Sequence, residues 1–154
     1  MALSQFEVDI YQQMILDHNR SPKNFCELKD ATLKAEGFNP LCGDHLWIYL
    51  KTDESGKIEA LSFQGSGCAI SKASASMMTV SLKGKTKDEA KAIFDEFHSL
   101  IKGELEPTNA KLLGKLKVFA GICKYPSRVK CAGLAWHTLQ GAIDGNVQDV
   151  VSTE

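Results

Sequence analysis

Four residues have the types and the neighbourhoods to do chemistry together: Cys42, Asp44, Cys68 and Cys131. Cys42 lies in the turn Asn39-Pro40-Leu41-Cys42-Gly43-Asp44, just before a β-rich run. Cys68 follows Gly65-Ser66-Gly67 at the head of a helical stretch, and Cys131 falls in the first turns of the last helix. The unpaired N–H groups and the macrodipole at a helix start stabilise negative charge, so a thiolate is favoured there. A thiolate is both a metal ligand and a nucleophile. Asp44 comes two positions after Cys42, and in extended chain residues i and i+2 point to the same side. Gly43 between them lets the backbone turn tightly. Three thiolates and one carboxylate are enough for tetrahedral zinc. The carboxylate is the hardest and least committed of the four, which suits a site that must exchange a ligand. Spacing alone leaves a second account open, because no C-x-x-C pair is present and Cys68 and Cys131 also fit as small buried core residues.

These residues need elements to position them. The spacing predicts a helix from about Ser4 to Asn19, with Ser4 as cap and Phe6, Ile10, Met14 and Leu16 near helical spacing. Ser21-Pro22-Lys23-Asn24 breaks it. Short strands follow at Ala31 to Glu36, His45 to Leu50 and Ile58 to Gln64, with a turn at Asp53 to Gly56. A helix then runs from Ile70 to Gly84, and another from Thr86 to Lys102. Thr86 and Glu89 form a capping-box pattern at the start of the second. A short helix is expected at Asn109 to Phe119. The last helix opens at Pro126-Ser127 and stops near Gly145-Asn146, with Val129, Ala132, Trp136, Leu139 and Ile143 on one buried face. A block of strands followed by a block of helices means α+β: a small antiparallel three-stranded sheet packed against several helices, with the metal site at one tip. Residues 1–154 read as one domain, with a polar, frayed tail after about residue 147.

Bulk properties narrow the function. The 154 residues carry a formal net charge of -1, with 44% hydrophobic and 24% charged residues. That balance argues against nucleic acid as a partner, which would want a basic domain. No stretch approaches the roughly 20 apolar residues of a membrane span, and the first residues do not form a secretory signal. A cytoplasmic location is the expectation. There, five cysteines point to metal binding or sulfur chemistry rather than to a disulfide framework.

The strings around the cysteines resemble the IscU/NifU-N-terminal/SufU superfamily. They are Asn39-Pro40-Leu41-Cys42-Gly43-Asp44, then Gly65-Ser66-Gly67-Cys68-Ala69-Ile70-Ser71, then Arg128-Val129-Lys130-Cys131. The resemblance runs from the first helix to the last and is closest to the SufU branch. IscU-type scaffolds carry a histidine just before the third cysteine, where this chain has Lys130, and the segment between Cys68 and Cys131 is longer than in that branch. The resemblance implies a zinc-dependent sulfurtransferase with Cys42, Asp44, Cys68 and Cys131 as zinc ligands and Cys42 as the persulfide acceptor. It implies a pyridoxal-phosphate cysteine desulfurase of the SufS type as partner, and relay of sulfur to a downstream scaffold of the SUF-type pathway. Two rival functions stand beside it. One is an iron–sulfur scaffold holding a transient [2Fe-2S] cluster, since thiolates suit iron as well as zinc. The other is a structural zinc module that only activates its partner.

Arg128, one helical turn before Cys131, has the reach to hold Asp44 or steer a sulfur anion; a solvated arginine at a helix start fits equally. Lys130 reads as a surface lysine. Cys26 and Cys123 match no ligand position, and none of the four histidines is assigned to zinc.

Overall fold

A computed structural model describes residues 4–145 and 151–152. Helix α1 spans Gln5–Arg20, and the Ser4 hydroxyl accepts the Glu7 N–H at 3.1 Å as its cap. Strands β1 (Leu33–Asn39), β2 (Asp44–Thr52) and β3 (Ile58–Ser66) form an antiparallel meander, as β-rich runs joined by short turns suggest. Val151–Ser152, called β4 here, pairs parallel with β1, so the sheet order is β3-β2-β1-β4. The tail expected to fray therefore supplies a two-residue edge strand; the rest of that tail lies outside the described residues. Helices α2 (Ala69–Leu82), α3 (Lys87–Ile101) and α4 (Pro126–Ile143) follow.

Helix α3 opens on the expected capping box. Thr86 Oγ1 accepts the Glu89 N–H at 3.1 Å, and the Glu89 carboxylate accepts the Thr86 N–H at 3.0 Å. The helix expected at Asn109 to Phe119 is instead two 3₁₀ segments, Pro107–Asn109 and Gly114–Lys124. Gly114 falls inside the expected span and interrupts α-helical continuity. Strand β1 starts and ends later than expected because its pairing partner is β2, whose register matches Leu33 with Leu50 and Asn39 with Asp44.

The helices cover one face of the sheet, where Leu46, Ile48, Leu50 and Phe63 are fully buried. Helix α4 is the hub. It packs on α2, α3, β1, β2 and the second 3₁₀ segment. It is therefore buried nearly all round from Cys131 to Leu139, not along the single face that its spacing suggested. Trp136 stacks on Phe97 at 4.5 Å and donates its ring N–H to Ser74 Oγ at 3.0 Å. Ser74 in turn donates to the Ala132 carbonyl at 2.6 Å, which ties α2 to α4. A tryptophan so enclosed contributes on the order of 3–5 kcal/mol relative to alanine.

Helix α1 corrects another expectation. Phe6 is 73% exposed, and Ile10 and Leu16 are also exposed; the helix buries Ile15 and lays Tyr11 and Met14 on the core instead. Among the described residues no helix is long and apolar enough to cross a membrane.

Candidate metal centre

The site is built where the β1–β2 hairpin meets the starts of α2 and α4. Asn39 and Asp44 are cross-strand partners at the end of the register, and the chain between them closes with the Gly43 N–H donated to the Asn39 carbonyl at 2.8 Å. Gly43 takes a positive φ of 73°, which a side chain would resist. The turn leaves Leu41 and Cys42 exposed at its tip. Asp44, the first residue of β2, points inward and is 0% exposed.

Cys68 is the N-cap of α2. Its sulfur accepts the Ser71 N–H at 3.5 Å, and its own N–H donates to Asp44 Oδ1 at 2.8 Å. Gly67 is required just before it, because a Cβ there would lie 2.6 Å from Asp44 Oδ1. Cys131 is 0% exposed on α4, and its sulfur lies 3.1 Å from that of Cys42 and 3.5 Å from the Ser127 carbonyl. Cys42 Sγ, an Asp44 carboxylate oxygen and Cys131 Sγ all lie within 4.8 Å of one another. The Cys68 thiol stands outside that triple and is tied to it through its own backbone N–H on Asp44.

The electrostatics follow from this crowding. The hydrogen bond with Cys131 is the largest influence on the Cys68 thiol; burial opposes it and the Ser71 N–H supports it, and the result is a value lowered to about 6. The same hydrogen bond, then burial, pushes Cys131 well above the ordinary thiol range, with Cys42 and Asp44 adding to the effect. The pair thus favours the thiolate on Cys68, at the helix start, over Cys131.

The donor set fits a metal ion. The buried Asp44 carboxylate accepts from two neutral N–H donors, Asn39 Nδ2 and the Cys68 amide. A buried carboxylate is costly unless compensated, and a cation beside the Cys42 and Cys131 sulfurs would offset that cost. Three sulfurs and one oxygen suit tetrahedral zinc and suit thiolate-bound iron as well.

The other singled-out residues lie apart from this cluster. Arg128 is exposed in the first turn of α4, and its side chain makes no ion pair or hydrogen bond among the described residues, so it does not hold Asp44. Lys130 is half-buried on the same helix. His18 Nδ1 bonds Ser76 Oγ at 2.7 Å. His45 pairs with Glu36 and stacks on Trp47 at 4.2 Å. His98 and His137 face each other at 5.2 Å across α3 and α4. Cys26 is exposed, and Cys123 sits against Gly103 and the Ala120 carbonyl. One residue the spacing did not single out belongs to the cluster. Asn39 Nδ2 donates to Asp44 Oδ2 at 3.3 Å and to Cys131 Sγ at 3.5 Å. In the sequence, Asn39 beside Pro40 reads only as a turn former.

A family model described as NifU-like N terminal domain matches residues 10–132. A relative from Streptococcus pyogenes serotype M1, named iron-sulfur cluster assembly scaffold protein IscU, is 41% identical over 143 residues, which cover 93% of this chain and 87% of the relative. A relative from Bacillus subtilis (strain 168), named zinc-dependent sulfurtransferase SufU, is 37% identical over 134 residues, 87% of this chain and 89% of the relative. Among solved structures, a putative iron-sulfur cluster assembly scaffold protein for the SUF system from Fervidobacterium islandicum AW-1 superposes with a TM-score of 0.80. It is 34% identical, over 88% of this chain and 97% of that one. The match over residues 10–132, together with relatives that align along most of their own length, means that the chain belongs to the NifU-like N-terminal domain family, alongside IscU- and SufU-type proteins.

Proposed function

We propose that this chain is a zinc-dependent sulfurtransferase of iron–sulfur cluster assembly. In this reading it accepts persulfide sulfur on Cys42 and relays it to a downstream scaffold of a SUF-type pathway. The observation that carries the reading is an asymmetry of exposure: Cys42 is exposed on a turn, whereas Asp44 and Cys131 are fully buried and Cys68 is half-buried. Of the three cysteines, Cys42 is the most accessible to a partner. The reading takes residues 1–154 as one domain, set in the cytoplasm.

The metal would be held by Cys42, Asp44, Cys68 and Cys131. When bound, zinc supplies positive charge that keeps the cysteines as thiolates at neutral pH. The donor is a persulfide on a pyridoxal-phosphate cysteine desulfurase of the SufS type. The Cys42 thiolate attacks the outer sulfur of that persulfide. A new S–S bond forms on Cys42 as the desulfurase S–S bond breaks, and the desulfurase cysteine leaves as a thiolate. Asp44 and Cys131 stay in place during this exchange, held by the β2 start and by α4. Arg128, exposed one helical turn from Cys131, is assigned to steering the incoming anionic sulfur.

A second reading is an assembly scaffold with a transient [2Fe-2S] cluster on the same donors. The name of the Streptococcus relative favours it. The Bacillus relative's name and Lys130, where the resemblance gives scaffolds a histidine, favour the first.

The deciding experiment is a single turnover of zinc-loaded protein with a cysteine desulfurase and cysteine, read by intact and peptide mass spectrometry with metal analysis. One extra sulfur on Cys42 with zinc retained is the expected result. No sulfur there, but a stable cluster once iron is supplied, moves the assignment to the scaffold.

A further inference from the structure

We infer that Asn39 is a positioning residue of the metal centre: its buried carboxamide fixes Asp44 and Cys131 against the Cys42 turn and thereby sets metal affinity. This rests on the metal-binding part of the proposed function, and it assigns a role to a residue outside the ligand set.

Asn39 is the last residue of β1 and is 0% exposed. Its carboxamide oxygen accepts the Leu41 N–H at 3.2 Å. That contact decides which end of the amide is which, because only the oxygen can accept. The nitrogen is left facing two acceptors, Asp44 Oδ2 at 3.3 Å and Cys131 Sγ at 3.5 Å. The Asn39 backbone carbonyl meanwhile accepts the Gly43 N–H at 2.8 Å. One residue therefore touches the turn that carries Cys42, the start of β2 and the second turn of α4.

The geometry around Asp44 gives this arrangement its consequence. Oδ1 is taken by the Cys68 N–H and Oδ2 by Asn39, so each oxygen has one donor and keeps a lone pair for an ion. With both oxygens anchored, the carboxylate plane cannot swing. The second N–H of Asn39 does the same for Cys131. Neither amide atom bonds the Cys42 sulfur, whose hydrogen-bond partner among the described residues is Cys131. Asn39 thus holds the two donors that should stay and leaves free the one that should leave.

Other side chains would not serve. Aspartate would set a carboxylate against Asp44, and the two charges would repel. Alanine would leave a buried carboxylate oxygen and a buried sulfur each short of a donor. Groups that orient metal ligands in this way typically change affinity by about tenfold to a hundredfold when removed.

The test measures zinc affinity of the full chain by competition with a chromogenic chelator, for wild type, Asn39→Ala, Asp44→Ala and the double variant. Asn39→Ala should weaken binding about tenfold to a hundredfold, and the same change in the Asp44→Ala background should do much less. Equal losses in both backgrounds would mean that Asn39 acts through general packing and would overturn the inference. An unchanged affinity in Asn39→Ala would do the same. If Asn39→Ala does not fold, the wild-type side-chain amide decides the matter by 15N NMR. The Asn39 NH2 pair should shift on zinc addition and lose its protection from solvent exchange in Asp44→Ala; a pair indifferent to both would overturn the inference. Failure of the wild type to bind zinc sinks the metal reading itself, whereas binding without dependence on Asn39 sinks this inference alone.

Discussion

The Cys68 backbone N–H and Asp44 Oδ1 are 2.8 Å apart, so the first free amide of α2 is spent on a carboxylate at the start of β2. The contact is possible only because Gly67 has no side chain, since a Cβ there would come within 2.6 Å of the same oxygen. Gly67→Ala must therefore displace Asp44 or open the turn. We expect zinc affinity to fall by about tenfold or more, measured by chelator competition. Urea unfolding of the zinc-free protein should change much less.

Cys42→Ser separates chemistry from stability. Cys42 is exposed, so the zinc-free variant should unfold within about 0.5 kcal/mol of wild type. Sulfur capture from the desulfurase should vanish, read as loss of the added sulfur mass. A variant that still stimulates the desulfurase in full would instead support the pure activator role.

Ser74 joins Trp136 to the Ala132 carbonyl inside the α2–α4 contact. Ser74→Ala leaves the indole N–H without its acceptor in a buried place. The loss should be about 1–3 kcal/mol in urea unfolding, with the site chemistry retained once the protein is folded.

The His98 and His137 imidazoles both titrate below the ordinary histidine value of 6.5, chiefly because burial disfavours their charged forms. Lys102 lowers His98 further, while Glu104 and Asp95 partly oppose it; His98 itself lowers His137. The unfolded chain takes up protons near pH 6.5 while the folded chain resists. Stability therefore falls as pH drops through 6.5 and levels off below the depressed native values. Urea midpoints of the zinc-free wild type should drop between about pH 7.5 and about pH 5.5, and the drop should be smaller in His137→Phe. Equal drops would remove this pair as the cause.

Local signals carried most of the architecture. Ser4, Thr86 with Glu89, and Pro126 mark helix starts through contacts within a few residues, and all three starts are in place. The β-rich runs His45 to Leu50 and Ile58 to Gln64, with the turn between them, were enough for the meander. What was illegible depends on distant partners. The exposure of Phe6 and the burial of α4 on every side follow from where the core lies, not from any local period. Gly114 falls inside the expected helix and instead opens the second 3₁₀ segment at a φ of 52°. The nearness of Cys42, Asp44 and Cys131 followed the contexts of those residues, but the place of Asn39 beside them was not readable: it needs Cys131, 92 positions away, to be next to it.

The nearness of the Cys42 and Cys131 sulfurs, 89 positions apart, has a meaning in polymer terms. Under the proposed function, ligation of both to one ion would close a loop about as long as those that large disulfides close, and would remove on the order of 4 kcal/mol of freedom from the unfolded chain. Unlike a disulfide, this staple opens without a reductant. Asp44, two positions on from Cys42, would close nearly the same loop with Cys131, so release of Cys42 would free the turn tip alone. In the proposed role Cys42 would be the outermost pin of the staple, and each turnover would loosen the hairpin tip while the packed helices stay fastened.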